Sequence, residues 1–304
     1  MKFKVIAFTA MWLKNLFELL GFKRKSTNYL YEVIDYDVEG VIVHYAQWKH
    51  PRESKKIIST NLVKSYSQYI NKGDFCIDIG AHSGDTTLPM AIAAGKSGCV
   101  LALEPNPHVY HVLEKNARAN KHVGNIETIL AAATPEMCFV DFEYSDSGFC
   151  NGGRHENISS LVHGHAYTLN VFGINLEHEL KNNFASYLQN IKFIKVDAEG
   201  YDLYILMSIE NILRDYLPVV KAEVFKKVST EYRLKLLSFF INLGYTVYKI
   251  KEEPMTLGDK LTKENIEIEK HYDILCLPNK SFQPTANASA EFKRYTLGVT
   301  ECIE

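Results

Sequence analysis

The sequence lacks the closely spaced cysteines of disulfide scaffolds and structural zinc sites. Six cysteines are scattered over 304 residues, and no two of them form a C-x-x-C pair. Small secreted domains and zinc fingers depend on such pairs, so the pattern excludes both classes. Cys76, Cys99 and Cys276 lie in apolar runs, where cysteine packs as a small hydrophobe. The sequence therefore predicts reduced thiols and a cytoplasmic protein.

The sequence also lacks an excess of charge of either sign and any long apolar run. It has 34 Lys and Arg against 36 Asp and Glu, whereas nucleic-acid-binding domains carry a strongly basic surface. No apolar stretch reaches the roughly 20 residues needed to span a bilayer. With 46% apolar residues the chain can bury a substantial core. We expect a globular protein whose partner is a small molecule or a glycan rather than a nucleic acid, with the oligomeric state left open.

Residues 1–24 combine an apolar run with basic ends. The small-residue cleavage site of a signal peptide does not follow this run. Apolar residues instead recur at helical spacing, which predicts an amphipathic helix: Val5, Phe8, Trp12, Leu16, Leu19 and Leu20. Its apolar face either docks on the body of the protein or makes peripheral contact with a membrane surface.

Three regions are predicted along the chain. Residues 1–70 hold the N-terminal helix, a hairpin with strands at 29–34 and 41–45, and a lead-in helix over 53–70. Residues 71–278 form the main domain, within which 141–190 is an irregular insertion of the kind that often serves as a lid. Residues 279–304 are a polar tail.

The main domain alternates short apolar strands with helices, which predicts an α/β fold with a mostly parallel, Rossmann-like sheet. The predicted strands are 75–79, 99–103, 126–131, 191–197, 219–224, 245–250 and 272–277, and the predicted helices are 86–94, 107–120, 176–188, 203–214 and 230–243. No strong helix separates the last two strands, so an antiparallel last strand is expected.

The first strand of this domain leads into a turn with two glycines, Gly80 and Gly84. Glycines at such a turn let the backbone approach a ligand at the carboxyl edge of the sheet. The third glycine of a G-x-G-x-x-G dinucleotide fingerprint is missing, so a sulfonium amino acid fits better than a pyrophosphate. In this interpretation Asp78 holds the ammonium, the backbone amides of the turn hold the carboxylate, and His82 shapes the turn.

Glu104 ends the next strand, where a carboxylate can accept hydrogen bonds from both hydroxyls of a ribose. Asn106 follows in the same motif and completes the predicted cofactor site.

Three motifs in order resemble the FkbM family of methyltransferases. They are Ile77–Gly84 (IDIGAHSG), Leu103–Pro107 (LEPNP) and Phe193–Tyr201 (FIKVDAEGY). The resemblance implies a class I methyltransferase fold, S-adenosylmethionine as the methyl donor, and hydroxyl groups of sugars or polyketide-type metabolites as acceptors.

The third motif is expected beside the methyl group and holds the predicted catalytic residues. A sugar hydroxyl is a weak acid, so its methylation needs a base or a metal. Asp197 is the first choice of base and Glu199 the second, with Lys195 in the same cluster; in a structural alternative, Asp197 orders the loop and Lys195 is its ion-pair partner. In a version with Mg²⁺, the ligands are Asp197, Glu199 and Glu223, whose carboxylates suit a hard cation. The metal-free version is preferred.

Two other functions remain open at this stage. A nicotinamide-dependent oxidoreductase would share the fold and Glu104, and a non-catalytic module would bind the cofactor without turnover. Three histidines of the insertion are further candidates for acceptor contacts or bases: His155, His163 and His165.

Overall fold

The computed structural model describes residues 25–150, 152–153, 167–252 and 255–279. The predicted N-terminal helix, nearly all of the polar tail and the histidines His155, His163 and His165 lie outside these residues. No helix within the described ranges is long and apolar enough to cross a bilayer.

The strands are β1 (Tyr31–Val38), β2 (Val41–Trp48), β3 (Phe75–Ile79), β4 (Cys99–Leu103), β5 (Ile126–Ile129), β6 (Ala132–Thr134), β7 (Cys138–Tyr144), β8 (Gly152–Gly153), β9 (Tyr167–Asn175), β10 (Ile191–Val196), β11 (Val219–Val224), β12 (Tyr245–Glu252), β13 (Thr256–Lys260) and β14 (Tyr272–Pro278). The helices are α1 (Thr60–Tyr66), α2 (Thr87–Ala94), α3 (Pro107–Ala119), α4 (Leu176–Asn183), α5 (Asp202–Ser208), α6 (Glu210–Tyr216) and α7 (Thr230–Asn242), and a 3₁₀ helix covers Ala185–Asn190.

The main sheet has eight strands in the order β13-β12-β14-β11-β10-β3-β4-β5. Strands β3, β4, β5, β10 and β11 run parallel, and β14 is inserted antiparallel between β11 and β12. The predicted Rossmann-like sheet with an antiparallel last strand is therefore confirmed. The order of the parallel strands reverses at β3, and open α/β sheets bind ligands at such a point, at the carboxyl ends of the strands.

The central strands β3 and β4 are apolar except for Asp78, because helices cover both faces of the sheet. Every residue of β3 and β4 is buried, as expected for parallel strands in such a fold. Successive side chains point to opposite faces. Ile77 packs with Leu206 and Phe240 on one face, whereas Cys76 packs with Met90 on the other.

The N-terminal hairpin is longer than predicted because its turn is only two residues long. Glu39 and Gly40 both have positive φ, 54° and 83°, as in the tight turns that join twisted strands. Two asparagine side chains, one in α3 and one directly after its C-terminal end, anchor β2. Asn116 Oδ1 accepts a hydrogen bond from the backbone N–H of Ala46, and Asn120 Oδ1 accepts one from that of His44.

The lead-in helix is shorter than predicted. Ser59 caps α1 by accepting a hydrogen bond from the N–H of Leu62, so the helix begins only at Thr60. Residues 53–59 are not helical, and the N–H of Lys56 donates instead to Gln47 Oε1 at 2.7 Å. This non-helical segment brings two charged side chains to the edge of the main sheet.

Residues 141–190 differ from the expected irregular insertion. Strands β7 and β9 pair antiparallel, with Val140 opposite Val171, and belong to a second sheet of order β6-β9-β7-β8. Polar residues of β7, such as Asp141, alternate with buried ones, which is typical of a strand with one exposed face. The expectation of an irregular insertion is therefore wrong for β7 and β9.

Candidate active site

A cavity of about 280 Å³ lies at the carboxyl ends of β3, β4 and β10. The second sheet and the segment before α1 complete its walls. Most of the residues predicted to act in binding or catalysis line it: Gly80, His82, Glu104, Asn106, Lys195, Asp197 and Glu199. The motifs that are separate in sequence therefore meet in one site.

Glu104 is buried and held by two backbone amides. Its Oε2 accepts a hydrogen bond from the N–H of His82 and its Oε1 accepts one from the N–H of Asn106, both at 2.8 Å. Burial raises the pKa of Glu104, while His82 and the two amides oppose that shift. Since a carboxylate oxygen has two lone pairs, each oxygen keeps capacity for another donor.

Gly80 is needed because the end of β10 comes very close to the turn after β3. Its φ is 76°, and a β-carbon added there would lie 2.0 Å from the carbonyl oxygen of Asp197. The N–H of Asp197 donates to the carbonyl of Ile79 at 3.0 Å. The two strand ends are therefore in direct backbone contact, and any side chain at Gly80 would push them apart.

The backbone amides of the turn point inward rather than into the cavity. Those of Gly80 and Ala81 both donate to the carbonyl of Leu103 at 3.0 Å, and that of His82 donates to Glu104. The expectation that they hold a carboxylate of the cofactor does not fit this arrangement. His82 does shape the turn, with φ of 50° and its ring packed edge-on against Trp48.

Asp78 lies beneath the turn and does not line the cavity. It has no exposed surface. Its Oδ2 accepts hydrogen bonds from Thr86 at 2.8 Å and Thr87 at 2.7 Å, and its Oδ1 accepts one from Lys195 at 3.3 Å. The expectation that it holds the cofactor's ammonium is at odds with this position, because its carboxylate is already satisfied by three donors.

Gly84 and Asn106 also have structural roles: Gly84 allows close packing, and Asn106 caps a helix. A β-carbon on Gly84 would lie 2.9 Å from Leu113 of α3, so the glycine permits close packing behind the site. Asn106 caps α3 by accepting a hydrogen bond from the N–H of His108, and its side-chain amide donates to the carbonyl of Phe149 at 2.6 Å. Its side chain thus ties the cavity wall to the helix.

Lys195 connects the turn after β3 to Asp197 at the end of β10. Its ammonium lies 3.3 Å from Asp78, 3.3 Å from the carbonyl of Gly80 and 3.4 Å from Asp197. Burial alone lowers the pKa of Lys195, but Asp78 and Asp197 outweigh it and raise that pKa well above its usual value. Lys195 therefore stays charged and holds Asp197, whose side chain is 47% exposed.

Acidic side chains crowd the region behind Asp197. Burial and then Asp197 raise the pKa of Glu199, and the same two causes raise the pKa of Asp202 to about 7. Burial, with Asp197, Asp202 and Glu199, raises the pKa of Glu223 to about 9. Glu199 lines the cavity, whereas Asp202 and Glu223 do not.

The three carboxylates do not fit a magnesium site. Within the described residues, Asp197, Glu199 and Glu223 do not bring three ligand atoms within 4.8 Å of one another. Glu223 Oε1 instead lies 3.5 Å from His271. A Mg²⁺ ion demands near-octahedral oxygen ligands at about 2 Å, so the metal-free version of the site is the one that this geometry favours.

Sequence reasoning missed a charged group at the other end of the cavity. Glu53, Lys56 and Asp85 line it, and Lys56 lies 3.0 Å from Asp85. Burial opposes ionisation of Asp85, yet Lys56 lowers its pKa overall. Of these three residues, only Asp85 could have been found from the sequence, because it directly follows Gly84 of the glycine turn. Glu53 and Lys56 were assigned to a helix that does not form there.

Comparison with known proteins gives one family match and several similar solved structures. A family model described as the methyltransferase FkbM domain matches residues 78–247, which is more than half of the chain. A solved FkbM methyltransferase from Methylobacillus flagellatus is 12% identical, with a TM-score of 0.44 over 71% of this chain and 51% of that one.

Two further solved structures are similar. TYW2 of M. jannaschii, in complex with AdoMet, is 15% identical, with a TM-score of 0.41 over 80% of this chain and 84% of that one. The fibrillarin of Aeropyrum pernix, with natively bound S-adenosyl-L-methionine, is 11% identical, with a TM-score of 0.40 over 82% of this chain and 99% of that one. The family match, which includes the glycine turn, Glu104 and the third motif, confirms the expectation of a methyltransferase over that of an oxidoreductase. The chain belongs to the FkbM family of S-adenosylmethionine-dependent methyltransferases.

Proposed function

We propose that this protein transfers the methyl group of S-adenosylmethionine to a hydroxyl of a sugar, a glycan or a small hydroxylated metabolite. One observation carries the proposal. Glu104, an acceptor for a ribose diol, and the acid pair Asp197 and Glu199, acceptors for a hydroxyl proton, line the same cavity.

The cavity fits the charge of the cofactor. Five acidic and two basic side chains line it: Glu53, Asp85, Glu104, Asp197 and Glu199 against Lys56 and Lys195. S-adenosylmethionine carries a sulfonium, an ammonium and one carboxylate, so an excess of acidic groups favours its binding. The pyrophosphate of NAD would meet repulsion in the same place. The missing third glycine of the dinucleotide fingerprint likewise disfavours a pyrophosphate.

Glu104 is preorganised for the ribose. Two backbone amides fix its carboxylate, and a free lone pair remains on each oxygen. Because the carboxylate is already oriented, it can accept from two adjacent hydroxyls with little loss of side-chain entropy. When bound, the cofactor supplies an electrophilic methyl group.

Glu199 is the better candidate for the base. Asp197, the first choice from the sequence, is ion-paired to Lys195 at 3.4 Å, so its carboxylate already has a cationic partner. Burial and Asp197 raise the pKa of Glu199, which favours proton abstraction near neutral pH. Glu199 also has φ of 53°, and such strain in a residue other than glycine occurs often at active sites.

Each charged residue of the third motif has a separate role in the proposed reaction. Lys195 holds Asp197 and the carbonyl of Gly80 in place. The charge on Asp197 keeps Glu199 basic, and Glu199 accepts the proton of the acceptor hydroxyl. The walls from the second sheet, with Phe142 and Tyr144, exclude water and contact the acceptor.

Binding of the cofactor tests the first half of the proposal. Thermal unfolding is followed with S-adenosylmethionine, with S-adenosylhomocysteine and with NAD, each at a concentration well above its expected dissociation constant. A ligand that binds only the folded protein raises the melting temperature. We expect a rise with the two sulfur nucleosides and none with NAD. A rise with NAD alone would contradict the proposal.

A further inference from the structure

We propose that Glu53 binds the ammonium of the cofactor's amino-acid part, with Lys56 beside it for the carboxylate. This inference rests on the proposed function, because it assigns the cofactor's zwitterionic tail to the segment before α1. Neither residue belongs to the three motifs or to the stretch that the family model matches.

Glu53 has the burial and the contacts expected of a carboxylate that binds a cationic group of a ligand. Its side chain is only 7% exposed, yet its Oε1 is buried without a hydrogen-bond partner. Lys56 lies 3.5 Å from Oε1 but closer, at 3.0 Å, to Asp85. His82 Nε2 lies 4.0 Å from the other oxygen, Oε2. A buried carboxylate oxygen without a donor is costly, and a ligand with an N–H donor at this point would remove the cost.

The groups expected to bind the amino-acid part are already occupied. Asp78 has three donors and no exposed surface. The amides of Gly80, Ala81 and His82 donate to Leu103 and Glu104. The ammonium and the carboxylate therefore need partners elsewhere in the cavity.

Of the other acidic side chains in the cavity, three already have specific partners. Asp85 pairs with Lys56, Glu104 with two backbone amides, and Asp197 with Lys195. Glu199 lies beside Asp197 after the end of β10, and we have proposed that it accepts the proton of the acceptor hydroxyl. Glu53 lies beside His82, and the backbone N–H of His82 holds Glu104, the proposed ribose ligand. Glu53 is therefore on the cofactor's side of the cavity.

The adjacent charges match those of an α-amino acid. An ammonium and a carboxylate on one carbon present opposite charges a few ångströms apart, as Glu53 and Lys56 do. Charge-assisted hydrogen bonds of this kind are about twice as strong as neutral ones. The pair would hold the amino-acid tail and leave Glu104 to hold the nucleoside.

Ligand truncation combined with mutation tests the assignment. Isothermal titration calorimetry compares S-adenosylhomocysteine with 5′-methylthioadenosine, which keeps the nucleoside and thioether but lacks the amino-acid part. We expect Glu53→Gln to weaken binding of S-adenosylhomocysteine about tenfold or more and to leave binding of 5′-methylthioadenosine unchanged. Glu32→Gln, at an exposed ion pair with Lys49 on the hairpin, is the matched control and should change neither affinity.

The outcomes separate the two proposals. If the wild type binds neither ligand, the proposed function fails and this inference fails with it. If the wild type binds both and Glu53→Gln binds S-adenosylhomocysteine equally well, only the assignment of Glu53 is wrong. Equal loss for both ligands would also overturn it, because the effect would then not depend on the amino-acid part.

A metal ion is the competing occupant. Glu53, His82 and Cys150 each offer one ligand atom, and these atoms lie within 4.8 Å of one another. The titrations are therefore repeated on protein treated with EDTA and on protein supplied with Zn²⁺. Unchanged affinity for S-adenosylhomocysteine supports the ammonium assignment. Binding that requires Zn²⁺, together with loss of Zn²⁺ binding in Glu53→Gln, would overturn it.

Discussion

The backbone N–H of His82 donates a 2.8 Å hydrogen bond to Oε2 of Glu104. The turn after β3 and the acid at the end of β4 are therefore one unit, although 22 positions separate the two residues. The N–H of Asn106 fixes the other oxygen. This explains physically why the glycine turn and the acid occur together in the sequence.

Glu104→Gln should weaken binding of S-adenosylhomocysteine by about 1.5–3 kcal/mol, because one charged acceptor is replaced by a neutral amide. The amide nitrogen also faces a backbone N–H, so a lower melting temperature is expected. Alanine is a poorer choice, since it leaves two buried amides without an acceptor. Calorimetry on Glu104→Gln and on exposed Glu127→Gln provides the comparison. Equal affinity in both variants would remove Glu104 from the cofactor site.

Gly80→Ala should destabilise the protein more than Gly40→Ala does. Both glycines have positive φ, 76° and 83°, so both variants carry backbone strain of roughly 1–2 kcal/mol. A β-carbon at Gly80 meets the carbonyl of Asp197 at 2.0 Å, whereas one at Gly40 has nothing within 4 Å. Thermal unfolding should therefore show a larger loss for Gly80→Ala, with loss of cofactor binding. Equal losses would contradict the close contact between the two strand ends.

Glu199→Gln should lower kcat by about a hundredfold or more while the affinity for S-adenosylhomocysteine stays unchanged, because the amide keeps the shape but cannot accept the proton. Asp197→Asn should retain more activity. It should also move the acid limb of the pH–rate profile to lower pH, since the charge on Asp197 raises the pKa of Glu199.

Measurement of kcat against pH for both variants and the wild type distinguishes the two candidates for the base. A large loss in Asp197→Asn with near-normal turnover in Glu199→Gln would restore Asp197 as the base. Loss of activity that follows a fall in melting temperature would indicate a structural role for either residue.

Glu223→Gln should stabilise the protein at pH 8 and have little effect at pH 4. Burial and the neighbouring acids raise the pKa of Glu223 from 4.5 to about 9, so between these values the folded state binds a proton that the unfolded chain has lost. Stability therefore falls as pH rises through this window, and glutamine removes that loss. Melting temperatures at pH 4 and pH 8 test the sign. A variant that is less stable than the wild type at pH 8 would contradict it.

The central sheet could be predicted from the sequence because each of its central strands is marked by its own short apolar run. Strands β3 and β4 are short runs that are apolar except for Asp78, and the predicted bounds match those observed. The second sheet was missed because β7 alternates polar and buried residues, unlike the apolar strands of the main sheet, and 22 residues lie between it and its partner β9. The main sheet pairs strands over longer distances, but each of its central strands is recognisable by itself as a buried apolar run.

The site was predictable in position but less so in detail. The sequence places Asp78, Glu104 and Asp197 at strand ends, and the structure keeps them there. It does not reveal which donors surround a carboxylate, and Thr86 and Thr87 turn Asp78 into a structural residue. Glu53 was missed because its contribution depends on where α1 begins, which the cap at Ser59 decides.

Methyl transfer to a hydroxyl is tested most directly by the chemical nature of the product. The protein is incubated with S-adenosylmethionine carrying a ¹³C-labelled methyl group and a panel of glycans and small hydroxylated metabolites, and the product is analysed by mass spectrometry and NMR. We predict one added methyl group bound to oxygen as an ether, released together with one equivalent of S-adenosylhomocysteine, and loss of this product with Glu199→Gln. A labelled methyl group on nitrogen or carbon, or equal product formation by Glu199→Gln, would contradict the account.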